Sequence, residues 1–295
     1  MSESSTLAGR TILMSGGSRG IGLAIALRAA RDGANLVLLA KTDQPNPKLK
    51  GTIHEAAAAI EAAGGKALPV VGDVRSDDSV AEAVQRAVDA FGGIDVVVNN
   101  ASALNLRGTL ELTPSQYDLM QDINTRGTFM LTRAAMPHLL RSDAAHVLTL
   151  SPPLNLQSQY WLARFPAYLL SKYGMSLVTV SLAAEFPTVS INSLWPRTTI
   201  GTDAVKNLLG GEDALHRARK PEIVADAAYS ILTGPPRTGQ LLIDDDVLRE
   251  SGVTDLVRYS YSGVDAGFDD DFFLRDPADE SRADESRADQ PREAS

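Results

Sequence analysis

The sequence contains no cysteine, which excludes a disulfide framework, a thiolate nucleophile and any cysteine-built metal site, and fits a reducing compartment. Its four histidines, His54, His138, His146 and His216, fall in separate elements without metal-ligand spacing. They read as surface or core residues, and no metal is expected. Long apolar runs are also missing, and none is long enough to cross a bilayer. The start, Met1-Ser2-Glu3-Ser4-Ser5-Thr6, lacks the basic-then-apolar pattern of a signal segment. The expectation is a cytoplasmic protein with no membrane partner. A basic stripe is lacking as well. The formal charge of -9 is concentrated in residues 265–295, which hold 11 acidic and 4 basic side chains, and the body is left nearly neutral. Phosphate backbones require clustered Lys and Arg, so nucleic acid is excluded as the main partner.

What is present is an alternation. Thr11-Ile12-Leu13-Met14 reads as a buried strand and Gly20 to Arg31 as a helix, a βαβ opening. Further strands are predicted at 35–40, 67–71, 94–98, 145–150, 189–194 and 240–243. Helices are predicted at about 52–63, 77–91, 114–141, 168–185 and 221–232. Residues 196–220 show weak periodicity. The pattern predicts an α/β fold, a doubly wound parallel sheet of about seven strands in a single domain over residues 1–264, with ligands at the carboxyl ends of its strands. Residues 265–295 read as an acidic, disordered tail, in which Ala278-Asp279-Glu280-Ser281-Arg282 is repeated by Ala283-Asp284-Glu285-Ser286-Arg287. Phe268, Phe272, Phe273 and Leu274 are the exception, expected to dock on the body or on another subunit.

Two constellations carry chemistry. In Ser15-Gly16-Gly17-Ser18-Arg19-Gly20-Ile21-Gly22, between the first strand and first helix, glycines allow a tight turn and a close approach to a pyrophosphate, and the helix N-terminus supplies N–H donors. A packing turn is the bland alternative. In Phe165-Pro166-Ala167-Tyr168-Leu169-Leu170-Ser171-Lys172, a helix puts Tyr168 and Lys172 one turn apart on one face. A phenol has a reference pKa near 10, and a neighbouring cation such as Lys172 favours its ionised form. Alone, that spacing is more often a solvated helix face.

With Asp73-Val74 after the third strand, Asn99-Asn100-Ala101-Ser102 after the fourth and Asn124 in the next helix, the chain resembles the classical short-chain dehydrogenase/reductases over about residues 7–250. The resemblance implies a Rossmann-type domain and an oxidoreductase acting on a carbonyl or secondary alcohol of a largely apolar small molecule, with Tyr168 as proton donor. It gives Lys172 the part of lowering the Tyr168 pKa and holding the nicotinamide ribose, and Asn124 that of holding a proton-relaying water. Asp73 would meet the adenine, and Asn100 with the backbone of Ala101 the adenine ribose, while Asn99 ties strands together. Gly16, Ser18, Gly20, Ile21, Gly22 and Val74 complete the cofactor set. Arg19 and Lys41, cations where NAD-dependent members place an acid, point to NADP(H), with Lys48 or Lys50 as possible additions. The family also implies a homo-oligomer, a tetramer or dimer pairing the helices at 114–141 and 165–185.

Three departures stand out. Pro152 occupies the place where the family has its catalytic Ser, leaving Ser151 or Ser158 to polarise the carbonyl, with Ser151 preferred. Pro196-Arg197 replaces Pro-Gly, and Asp244-Asp245-Asp246 replaces Asp-Gly-Gly. The apolar group Leu154, Leu156, Tyr160, Trp161, Leu162 and Phe165 is either core or a substrate wall. Two other readings stay open: a nucleotide-binding scaffold with little turnover, favoured by Pro152, and a sugar-nucleotide epimerase on the related fold.

Overall fold

Strands rich in Val, Ile and Leu that are buried along their whole length can only be interior strands of a sheet covered on both faces. In the computed structural model, which describes residues 6–45, 51–157, 159–203, 205 and 215–274, β1 (Thr11–Ser15), β2 (Asn35–Ala40) and β4 (Val96–Asn99) are of this kind. With β3 (Lys66–Val71), β5 (His146–Thr149), β6 (Ser190–Trp195) and β7 (Leu241–Ile243) they form one parallel sheet of order β3-β2-β1-β4-β5-β6-β7. The doubly wound, seven-stranded Rossmann-type sheet expected from the sequence is what the structure has.

Side chains alternate between the two faces along each strand. Ile12, Met14, Leu36, Leu38, Val96 and Val98 join one core, against α1 (Gly20–Ala30), α2 (Ile53–Ala62) and α8 (Glu222–Thr233). Leu13, Val37, Leu39 and Val97 join the other, against α3 (Asp77–Phe91) and the long helices after β4. Each fully buried aliphatic side chain contributes about 1.5–3 kcal/mol, so burial on both faces holds the sheet between its two helical layers.

Helix starts follow local chemistry. Thr52 and Glu55 form a capping box at α2, Thr113 and Gln116 another at α4 (Pro114–Met120), and Ser76 caps α3. The 114–141 segment departs from a plain helix: after α4 the chain widens into a π-helical turn, Gln121–Arg126, before α5 (Gly127–Leu139). A widened turn of this kind frequently marks a functional site, and Asn124 sits inside it, fully buried.

α6 (Gln159–Leu162) precedes α7 (Pro166–Glu185), and α9 (Asp244–Glu250) follows β7 directly. The triple acid therefore opens a helix, where carboxylates meet the positive end of the dipole. Among the described residues no helix is long and apolar enough to cross a membrane.

Residues 265–274 pack on the body, as anticipated for Phe272 and Phe273, and so carry the packed unit past residue 264. Thr198 and Asp270 form an antiparallel bridge, and the backbone N–H groups of Asp269 and Asp271 donate to Arg217 and Arg197 carbonyls. The repeat at 278–287 lies outside the described residues.

Candidate active site

Sheet order reverses direction between β1 and β4, and at such a switch point the strand ends diverge and leave a crevice. The glycine loop leaves β1 at that point. Gly16 has φ +73°, and a Cβ there would stand 2.8 Å from the Ala101 Cα, so only glycine fits. The Asn100 amide donates to the Ser15 and Gly16 carbonyls at 3.2 and 2.8 Å, tying the loop to β4. Asn99 instead donates to Thr132 and Thr149 hydroxyls, the strand-tying part expected of it.

A groove of about 440 Å³ is lined by Gly16, Ser18, Arg19, Gly20, Ile21, Lys41, Asp73, Val74, Asn100 and Ala101. Nearly the whole predicted cofactor set is thus brought together. Of the rest, Tyr168 and Lys172 line the adjoining cavity, and Gly22 is buried in α1, where a Cβ would meet the Asn100 amide at 2.5 Å, so its part is packing. Burial works to raise the Asp73 carboxyl, but hydrogen bonds from Arg75 and the charge of Lys41, 3.3 Å away, outweigh it and hold it down at about 2. Arg19 donates from Nη2 to the Gly51 carbonyl, while Nη1 is buried without a hydrogen-bond partner among the described residues. A buried guanidinium nitrogen with spare donors beside a glycine loop suits an anionic, phosphate-bearing cofactor. Lys48 and Lys50 lie outside the described residues.

The second cavity, about 260 Å³, adjoins the first, and Ile21, Asn100, Ser102 and Thr202 line both. Its wall is largely apolar, with Leu104, Leu106, Leu150, Trp195, Ile200 and Phe272. Tyr168 and Lys172, one turn apart on α7, both reach it. Lys172 Nζ donates to the Leu150 carbonyl at 2.9 Å and lies 5.0 Å from the centre of the Trp195 ring.

Burial pushes the ammonium down to about 7, against the pull of the Asp271 charge. Burial, more than any negative charge on Asp271, raises the Tyr168 phenol above its ordinary value. The lowering expected from Lys172 is not among these causes.

Asn124 touches neither cavity. Its amide brackets Ala103, accepting from the backbone N–H at 2.7 Å and donating to the carbonyl at 3.0 Å, and donates to Ser171 on α7 at 2.8 Å. It pins the loop after β4 to α7. Ser151 is fully buried, its Oγ has no partner among the described residues, and it is not part of the cavity wall. Ser158 lies outside the described residues.

Trp161, Leu154, Leu162 and Phe165 pack together as a small core, and Leu156 is exposed. The apolar group before Tyr168 thus supports the cavity from behind and does not line it. The side chain of Tyr160 lies outside the described residues.

Several cavity residues were not legible in the sequence as site residues, Leu104, Trp195, Thr199 and Thr202 among them. Asp271 and Phe272 arrive from the C-terminal segment, and Phe273 beside them is buried among Trp161, Tyr168, Tyr173 and Trp195, at ring separations of 5.6–5.9 Å. The cluster of Phe272, Phe273 and Leu274 gave a docking signal but no address. The two other departures prove to be partners. Arg197 pairs with Asp245 at 2.6 Å and Asp246 at 2.7 Å, and its N–H donates to Asp244 at 2.9 Å. The Arg197 carbonyl in turn accepts from Asp271.

The sequence profile of the short chain dehydrogenases matches residues 10–212. Hydroxysteroid dehydrogenase-like protein 2 of Danio rerio is 51% identical over 272 residues, covering 91% of this chain and 64% of that protein. Its human counterpart is 49% identical over 256 residues, 86% of this chain and 61% of that protein. The chain thus spans less than two thirds of the length of these curated relatives. A short chain dehydrogenase structure from Mycobacterium thermoresistibile superposes with a TM-score of 0.87 at 50% identity, covering 92% of this chain and 97% of the other. A short chain dehydrogenase from Burkholderia cenocepacia, solved in complex with NADP, gives 0.69 at 27% identity over 81% and 97%. A glycine loop at the switch point, a Tyr and Lys one turn apart over an adjoining cavity, and these likenesses agree, and the chain belongs to the short chain dehydrogenase family.

Proposed function

We propose that the protein is an NADP(H)-dependent oxidoreductase that interconverts a carbonyl and a secondary alcohol on a largely apolar small molecule. The observation that carries this reading is the continuity of the two cavities: a groove bearing the glycine loop opens, through shared lining residues, onto an apolar cavity where Tyr168 and Lys172 project. The cofactor, when bound, supplies or accepts the hydride.

The rest falls to this chain's side chains. Tyr168, protonated in its apolar surroundings, hydrogen-bonds the substrate oxygen and gives up its proton as negative charge builds there. Lys172, poised near neutrality, favours the resulting phenolate and would hold the nicotinamide ribose of the bound cofactor. Asn124 acts at one remove, holding the loop after β4 in place against α7. The apolar wall excludes water and selects a hydrophobic substrate.

NADP(H) is favoured over NAD(H) by Arg19, whose Nη1 has no hydrogen-bond partner among the described residues, by Lys41 just after β2, and by the Burkholderia relative solved with NADP. A homo-oligomer is favoured by the exposed apolar side chains of Phe129, Leu170 and Leu177 on α5 and α7, because patches of this kind mark contact surfaces.

The test is a screen of NADPH oxidation across ketones, fatty aldehydes, β-ketoacyl thioesters and steroids. At least one apolar carbonyl is expected to turn over, and Tyr168→Phe to lose about a hundredfold to ten-thousandfold in kcat while still binding NADPH. NADPH binding with no turnover across the panel would establish the scaffold reading instead. A Tyr168→Phe variant at the wild-type rate would remove Tyr168 from the mechanism.

A further inference from the structure

Carbonyl reduction needs the developing negative charge on the substrate oxygen to be met by more than one donor. Tyr168 supplies one. Pro152 stands at the end of β5 where a second hydroxyl is expected, and it has no hydrogen to give. Ser151 is sealed behind the wall with no exposure at all. Lys172 gives one donor to the Leu150 carbonyl, and the reading above assigns it to the cofactor ribose.

The remaining ionisable side chain on the wall is Asp271. Its backbone is held by the Arg197 carbonyl at 2.9 Å, so its position is set by the sheet and not by a free tail. Its Oδ1 accepts from the Trp195 indole at 2.7 Å, and Oδ2 has no hydrogen-bond partner among the described residues. Phe272 and Phe273 on its C-terminal side wedge it in place: Phe273 is 2% exposed and takes a φ of +78°, a conformation a phenylalanine holds only when its surroundings impose it.

Building on the reading of Tyr168 as proton donor, we propose that Asp271 is the second hydrogen-bond donor to the substrate oxygen, with a protonated Oδ2 doing what a serine hydroxyl does in other members of the family. The Trp195 indole fixes which oxygen carries the proton, because Oδ1 is already an acceptor. Burial, reinforced by the nearby charges of Asp244 and Asp270, raises Asp271 well above the ordinary carboxylate range, against the Trp195 hydrogen bond and the charge of Lys172. A carboxylic acid kept neutral in an apolar site is an established kind of carbonyl donor. No proton leaves Asp271 in this step: it shares its hydrogen, while Tyr168 transfers one.

The substitutions that isolate this are Asp271→Asn, which keeps a donor where Oδ2 stands and an acceptor for Trp195, and Asp271→Leu, which has nearly the same shape and no donor. On the carbonyl compound that the wild type reduces, Asp271→Leu should lose about a hundredfold or more in kcat with unchanged NADPH Kd. Asp271→Asn should stay within severalfold of wild type, and so should Ser151→Ala.

A fully active Asp271→Leu overturns the proposal. So does an Asp271→Asn as damaged as the Leu variant, because charge would then matter and not the donor. The Asn variant alone decides the matter if the Leu variant does not fold. Loss of activity in Tyr168→Phe alongside a fully active Asp271→Leu sinks this proposal only, whereas an active Tyr168→Phe sinks the reading beneath it.

Discussion

Replacing Phe273 with alanine removes the side chain that holds the C-terminal segment over the active site. The ring is 2% exposed and packs on Trp161, Tyr168, Tyr173 and Trp195 at centroid separations of 5.6–5.9 Å. A buried Phe→Ala change costs about 3–5 kcal/mol, mostly from lost transfer energy and the cavity left behind. The left-handed backbone at Phe273 gives little of this back, since alanine also disfavours a positive φ. In a domain of this size each kcal/mol is worth about 2–4 °C, so the melting temperature should fall by about 6–20 °C.

A ceiling applies. The segment can detach as a local unit while the sheet stays folded, so the loss cannot exceed the energy with which the segment docks. Truncation after Gly267 sets that ceiling and should cost at least as much as Phe273→Ala. Thermal melts of the three proteins, followed by circular dichroism, measure both quantities. If neither variant shifts the melt by more than about 2 °C, the segment is not docked as described and the place of Asp271 in the cavity falls with it.

Arg19→Ala should weaken NADPH binding by about tenfold to a hundredfold, the worth of a charge-assisted hydrogen bond, and leave NADH binding nearly unchanged; fluorescence titration with both cofactors reads it, and an equal effect on the two would deny Arg19 the 2'-phosphate. Asp244 is 1% exposed and burial pushes its carboxyl up to about 7, so it contributes stability present below about pH 4 that is lost as pH rises through 7, about 4 kcal/mol at most. Asp244→Asn should therefore gain on the wild type as pH rises from 5 to 8 in paired melts, and parallel curves would contradict the raised value. Removing residues after Asp276 should leave melting temperature and activity unchanged, because a charged repeat buries too little apolar area to offset its ordering entropy; a large loss would show that repeat to be docked. Leu170→Asp with Leu177→Asp, two half-exposed positions on α7, should shift the sedimentation coefficient toward the monomer, and a wild-type monomer would end the oligomer reading.

The sequence by itself determined whatever local spacing encodes. Strands buried on both faces must be continuous apolar runs, so β1, β2 and β4 were legible as interior strands. Gly16 was legible because a glycine-rich run between a strand and a helix suits a tight turn and a close backbone approach to a pyrophosphate, while its nearness to Ala101 came only with the structure. Tyr168 and Lys172 declared themselves by the 3.6-residue period, which puts positions four apart on one face whatever the helix packs against. Asn124 could be named, but not the π-helical turn around it or its grip on Ala103 and Ser171, because a widened turn is imposed by the elements it joins.

Tertiary structure alone decided the rest. Ser151 and Pro152 lie side by side in the chain, yet only the packing of α7 over β5 shows that the serine is sealed off. The pairing of Arg197 with Asp244, Asp245 and Asp246 joins the loop after β6 to the first turn of α9, which meet because β6 and β7 are neighbours in the sheet. Asp271 reaches the cavity because an apolar opening beside Trp195 accepts Phe272 and Phe273. A local pattern records that such a segment must bury its rings, but the site that receives them is set by sheet order, which no short stretch of sequence contains.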